Sequence, residues 1–469
     1  MKLFSSLHLL AVTAAIACAA TLSSCIEDGF TNNPNDQPTF SVDTLKMGLA
    51  FSEEGTPTHK FKVYNRHGKG LMISRIAFRD GGTGAFRLNV DGVPGEVFND
   101  VEIRANDSIF VLVEATPPSN GGKSTPVAFY DKVDFTVNGV QSTVVLEADV
   151  IDAEVHKGWD IKLSRKLKAH TAYQIYDSLV VRPDVTLTIP EGVTLYFHDK
   201  AWMRVDGTLI VNGTAQAPVN FVGDRFGYVA SDIPYEIMSG QWSGILFSCL
   251  SKSNKISHAS VRNTINGILL DSLFLSPVPA LKMVNCQVRN STGYALQALH
   301  SSVEAYGCEF ADAAFGVVGI AGEHHVFNQC TFANQYLFAY PDGEIIQLYR
   351  LDHDDQYGAI NPTTADFSNC VVWGNGGDIY PGVYDGYNVF FRYCSFSVKG
   401  SDDANFISCL WETDPLFRTD TEKYIFDYRL REESPVIGKA AKALVNPETA
   451  IDFYGVARGS EPDLGAYQH

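Results

Sequence analysis

Asn285-Cys286-Gln287-Val288-Arg289-Asn290, Gly307-Cys308-Glu309-Phe310 and Gln329-Cys330-Thr331-Phe332-Ala333-Asn334 are three versions of one phrase, and their cysteines stand 22 residues apart. A cysteine followed two residues later by an apolar side chain puts both on one face of a strand, because successive side chains alternate. The phrase returning at a fixed interval means stacked repeats, each burying its apolar face against its neighbours. Asn369-Cys370-Val371-Val372 comes 40 residues after Cys330, as if one repeat were enlarged by an insertion of about 18 residues; Cys394-Ser395-Phe396 and Cys409-Leu410-Trp411 follow at 24 and 15. A column of cysteines beside a column of larger apolar residues then fills a narrow core, and the asparagines satisfy backbone groups where the chain bends.

Disulfides are the competing reading of these cysteines. Seven follow Cys25, namely Cys249, Cys286, Cys308, Cys330, Cys370, Cys394 and Cys409. An odd count on one face argues against a full set of bridges. Stacked strands lie about 4.8 Å apart, so distance permits bonding, but parallel Cβ directions make the geometry poor. No CxxC pair or Cys/His cluster at ligand spacing points to a metal.

Upstream, Val185-Thr186-Leu187-Thr188-Ile189-Pro190-Glu191-Gly192-Val193-Thr194-Leu195 and Met203-Arg204-Val205-Asp206-Gly207-Thr208-Leu209-Ile210-Val211 repeat a strand–turn–strand theme that fits coils of a β-helix. Gln241-Trp242-Ser243-Gly244-Ile245-Leu246-Phe247 resembles an opening phrase of pectin-lyase-like proteins. Asp414-Pro415-Leu416-Phe417, Asp427-Tyr428-Arg429-Leu430, Ser434-Pro435-Val436-Ile437-Gly438, Asp452-Phe453-Tyr454-Gly455-Val456-Ala457-Arg458 and Pro462-Asp463-Leu464-Gly465-Ala466-Tyr467 resemble the closing signature of bacterial surface β-helix proteins. The resemblance implies a right-handed parallel β-helix over residues 153–469 with a C-terminal cap. It specifies no reaction, because that fold hosts lyases, hydrolases, esterases, adhesins and inert spacers.

The segment before the repeats reads as short strands. Lys60-Phe61-Lys62-Val63-Tyr64 alternates polar and apolar, Ser108 to Val113 is a strong β run, and Asn138-Gly139 is a favoured hairpin turn. Residues 40–152 resemble the immunoglobulin-like β-sandwiches found next to cell-surface anchors. The expected fold class is therefore all-β, an N-terminal immunoglobulin-like β-sandwich followed by a right-handed parallel β-helix.

Residues 1–24 read as a signal peptide, with Lys2 ahead of an apolar stretch from Leu7 to Ala20 too short to span a bilayer comfortably. Leu22-Ser23-Ser24-Cys25 resembles the lipobox of bacterial lipoproteins, which implies lipidation of Cys25. Residues 25–39 then read as a lipidated tether. The acidic Ile26-Glu27-Asp28 resembles an export signal of surface lipoproteins, so the expected location is the outer membrane, lipid-anchored and surface-exposed. The membrane is thus an expected partner. A formal charge of −18 excludes nucleic acid as one, because polyanions repel.

The enzyme patterns of the fold are missing. No Asn-Thr-Asp, Gly-His-Gly or Arg-x-Pro-x-x-Arg phrase occurs. The expected function is a non-catalytic protein that binds a glycan or another surface, without a cofactor. The alternative is a polysaccharide lyase or glycoside hydrolase acting on an acidic polysaccharide, with Ca²⁺ under the lyase reading only. The candidate ligand-binding residues are Tyr349, Arg350, Asp352, His353, Asp354 and Asp355 in the enlarged repeat, with Tyr380, Tyr384 and Tyr387 after it. Three carboxylates, a histidine and an arginine could hold a cation or do acid–base work, and exposed tyrosines stack on sugar rings. A solvated acidic loop over packed aromatics explains the same residues, as it does Asp402-Asp403. His324-His325 could be paired metal ligands, but adjacent strand residues face opposite ways, so one should be buried and the other exposed.

Overall fold

The computed structural model describes residues 29–229, 233–271, 279–299, 301–322, 324–341, 343–349, 363–379 and 388–469. It is all-β, with long parallel sheets. The described residues fall into two compact units, one within residues 29–120 and 126–150, the other within residues 121–125 and 151–469. No helix among the described residues is long and apolar enough to cross a membrane.

The first unit holds two five-stranded sheets. His59–Tyr64 pairs antiparallel with Ser108–Ala115, and Val127–Val137 with Val140–Ile151. Phe61, Val63, Val111 and Val113 of one sheet share a single apolar core with Phe135, Val144 and Leu146 of the other. Asn138 and Gly139 both take left-handed φ, the conformation that a two-residue hairpin turn demands. Residues 29–40 make specific contacts within the first unit. Phe30 bridges to Gly70, the Gln37 amide donates to the Val137 carbonyl, Asn138 donates to the Asn33 and Asp36 carbonyls, and Thr39–Phe40 is a strand beside Tyr64 and Val63.

In the second unit the strands of both long sheets pair in parallel, and the antiparallel contacts are isolated bridges such as Phe417 with Leu430. One repeat supplies Leu281–Val284 to a ten-stranded sheet, then Gln287–Ser291 and Tyr294–Leu299 to a 16-stranded one. The ten-residue strand Ala172–Val181 pairs with both Thr194–Phe197 and Trp202–Val205, joining two stacks into that larger sheet. Register fixes the cysteine column. Gln287 pairs with Glu309, Glu309 with Thr331, Thr331 with Val371 and Val371 with Ser395, so the preceding cysteines align from Cys286 to Cys394. These five cysteines are at most 1 % exposed, and no disulfide links them. They sit at the corner before each strand rather than on it. The residue ahead of each is left-handed: Asn285, Gly307, Gln329, Asn369 and Tyr393 all have φ between 49° and 64°. Each thiol then donates to carbonyls at that corner, as Cys330 does to Ala305 and Asn328. A small side chain with one donor suits that tight bend.

Beside the cysteines runs a phenylalanine column. Phe327 and Phe367 stack with ring centres 4.9 Å apart, Phe367 and Phe391 at 4.6 Å, and Phe391 and Phe406 at 5.0 Å. These intervals match the strand spacing of about 4.8 Å, so the register itself sets the stacking. Trp242 of the opening phrase lies fully buried on Phe197 at 4.0 Å, and its indole donates to the Arg262 carbonyl. Gly244 there has φ 107°, and an added Cβ would meet the Asn266 carbonyl oxygen at 1.5 Å.

The enlargement of one repeat is two insertions, not one. Phe310 pairs with Phe332 at an offset of 22, Val318 with Ile346 at 28 and His325 with Ala365 at 40. Six extra residues therefore precede Ile346–Leu348 and twelve follow it.

The C-terminal segment packs along the flank of the larger sheet. Phe417, Tyr428, Leu430, Val436, Leu464 and Tyr467 form a second core with Ala311, Ala333 and Val371. Its polar residues lock the turns: Asp452 accepts from the backbone of Tyr454, Val456 and Gln468, and Asp463 from Gly438 and His469. Two tyrosines dock it on buried carboxylates. Tyr467 donates to Glu309 at 2.5 Å, and Tyr428 donates to Asp312. Arg289 lies 2.5 Å from Glu309, which is 1 % exposed.

Burial pushes the Asp312 carboxyl up to about 6 from 3.8. Between those values the folded chain binds a proton that the unfolded chain has released, so stability falls as pH rises from about 4 to 6 and then levels off. That shift corresponds to about 3 kcal/mol. Asp312→Asn retains an acceptor for Tyr428 and tolerates the left-handed φ of 54°. Urea unfolding should find its advantage over the parent growing by about 3 kcal/mol between pH 4 and 7. A constant difference across that range would refute this account.

Candidate functional site

Of the residues read from the sequence as ligand-binding, Tyr349 alone falls among the described residues. Cys25, Arg350, Asp352, His353, Asp354, Asp355, Tyr380, Tyr384 and Tyr387 lie outside them. Tyr349 is half-buried, and its hydroxyl donates to the Gln347 side chain at 2.7 Å and meets the Tyr294 hydroxyl. Both rings crowd the sheet over Gly319, where an added Cβ would come within 3.0 Å of Tyr294 and 3.2 Å of Tyr349. Tyr294 is buried, and burial pushes its hydroxyl well above the usual tyrosine range. Tyr349 thus belongs to a polar knot whose hydroxyls are already engaged with one another.

Asp402 and Asp403 hold turns. Asp402 accepts from the backbone of Ser408 and Cys409 and from the Trp411 indole, and Asp403 from the backbone of Asn405 and Phe406. Tyr336 is buried against Ser239, whereas Tyr340 is 86 % exposed. Among the described residues no group of three or more histidines, cysteines or carboxylates could hold a metal ion.

The ten-stranded sheet carries the better site. Four neighbouring strands, Val303–Tyr306, His325–Asn328, Thr364–Ser368 and Asn388–Arg392, bring Glu304, Val326, Asp366 and Phe390 into one outward column. Ser302, His324, Thr364 and Arg392 flank it, and the whole lines a cleft of about 390 Å³. Alternation explains the arrangement, because the residues between these point inward as Val303, Phe327, Phe367 and Phe391. Arg392 forms an ion pair with Asp366, and its guanidinium sits over the Phe390 ring at 4.9 Å. A planar donor array is thereby held against a carboxylate and an aromatic face.

His324, left-handed with φ 64° just ahead of the strand, is exposed, and His325 on the strand is 1 % exposed. His325 also lines the cleft. Its Nε2 lies 3.4 Å from the Ala321 carbonyl, which can only accept, so that nitrogen carries the proton. Nδ1 is left as a buried acceptor with no partner among the described residues. Burial pushes the ring down to about 4, so it is neutral at physiological pH.

Sequence reading found the histidines and missed Glu304, Asp366, Phe390 and Arg392. Each is an ordinary outward strand position, and only the register across unequal repeats shows that they converge.

No family model and no curated protein matches the chain. Among solved structures it is similar to that of a family 123 glycoside hydrolase from Clostridium perfringens, described in terms of glycolipid glycan hydrolysis. Identity is 10 %, the TM-score is 0.17, and the match covers 25 % of this chain and 26 % of that one. The chain thus spans about a quarter of that structure's length, and at such overlap the similarity assigns it neither fold nor activity.

Proposed function

We propose that this protein is a cell-envelope lipoprotein, anchored through Cys25 in the outer membrane, which binds a glycan without cleaving it. Its second unit is read as a right-handed parallel β-helix and its first as an immunoglobulin-like spacer. The observation that carries the binding role is the cleft in the ten-stranded sheet, where Arg392 stacks on Phe390 beside Asp366 and Glu304. Sugar rings offer apolar faces and hydroxyl edges, which match an aromatic ring flanked by planar polar groups.

A glycan array with the full-length protein, followed by titration of the hits, tests the reading. Arg392→Ala and Phe390→Ala should each weaken binding at least about tenfold, the ~1.4 kcal/mol typical of losing a central contact. Unchanged binding in both variants would place the ligand elsewhere. The anchor is tested separately by Cys25→Ala, which should abolish partitioning into the detergent phase.

A hydrolase is the second reading. Glu304 and Asp366 stand two strand steps apart, about 9.6 Å at the backbone, near the separation of ~6.5–9.5 Å between the carboxyl groups of inverting enzymes. Such a pair needs a water between its carboxylates, whereas here Asp366 is occupied by Arg392. Release of reducing ends by the parent, abolished in Glu304→Gln, would favour hydrolysis over binding.

A further inference from the structure

The cleft holds two carboxylates, and the cations beside it are already paired. Glu304 makes no ion pair among the described residues, and the adjacent Lys282 is held by Glu448 of the C-terminal segment. Asp366 takes the Arg392 guanidinium. The Nδ1 of His325, buried behind the wall, has no hydrogen-bond partner among the described residues. With His325 neutral, the formal charges of Glu304, Asp366 and Arg392 leave the cleft one unit negative, in a chain of net charge −18.

From this geometry we infer that the cleft selects a saccharide bearing a protonated amine, a hexosamine-type glycan, with the ammonium seated on the Glu304 carboxylate. The inference rests on the glycan-binding reading above and names its ligand class. An ammonium supplies the cationic partner that Glu304 lacks among the described residues and offsets the negative charge. Uronate or sulfate groups bring only further acceptors and like charge, which opposes their entry. An acetylated amine keeps one N–H and loses the charge, so it sits between the two.

The test is calorimetric titration of the full-length protein in detergent with three oligosaccharides of equal length: glucosamine, N-acetylglucosamine and galacturonate. The glucosamine oligomer should bind at least about tenfold more tightly than its acetylated counterpart, and galacturonate should give no measurable heat. Raising the salt should narrow the preference, as an ion pair in a solvent-open cleft requires. Glu304→Gln should bring the two hexosamine oligomers to within about threefold of each other, with its thermal midpoint unchanged to show that the sheet is intact. Galacturonate binding as tightly as glucosamine, or no difference between the amine and its acetyl form, overturns the inference and leaves glycan binding standing. Failure of all three oligomers to bind, together with an empty glycan array, overturns both.

Discussion

Arg289→Ala is expected to destabilise the protein by about 3–5 kcal/mol, the usual cost of leaving one member of a buried ion pair without its partner. Glu309 is 1 % exposed and lies 2.5 Å from Arg289, with the Tyr467 hydroxyl as its other close partner. Without the guanidinium the carboxylate must stay charged in an apolar setting or take up a proton, so the loss should grow with pH. Because Tyr467 belongs to the C-terminal segment, that segment should detach first. Protease digestion should then release fragments from residues 414–469 before the repeats are cut. A matched apolar replacement, Arg289→Met with Glu309→Leu, should recover most of the stability, since neither charge is then left buried. A loss below about 1 kcal/mol for the single variant in urea unfolding would show that the pair does not hold the flank.

The second large effect is at the cysteine column. Cys308 is fully buried, in register between Cys286 and Cys330, with burial pushing its thiol well above the usual range. Cys308→Asp places a carboxylate one strand step from two thiols, with no cation to meet it. It should cost several kcal/mol and destroy the local repeats. Cys308→Ser is the control, because it stays small and uncharged and keeps a donor facing the Tyr306 carbonyl. Hydrogen exchange should show the strands around residues 287–334 losing protection in the aspartate variant and keeping it in the serine variant. Equal protection in the two would mean that the corner is open enough to hydrate a charge.

The sequence by itself determined the strand repeats and the cysteine column. Side-chain alternation has a period of two, and the 22-residue interval carries the register directly. The turn at Asn138-Gly139 was legible from its dipeptide, which favours left-handed φ, and His325 is the buried member of the histidine pair. Tertiary structure alone decided three things. Asn33, Asp36 and Gln37 pack against the first unit, because their partners near residues 67 and 137 are remote in sequence. The C-terminal phrases, legible as a signature, proved to be a flank held by Tyr428 and Tyr467 on carboxylates more than a hundred residues away. The cleft exists because unequal insertions still return each strand to the same register, bringing Glu304, Asp366, Phe390 and Arg392 together. No local pattern marks such positions, since an outward polar residue on a strand looks the same whether it faces solvent or a ligand.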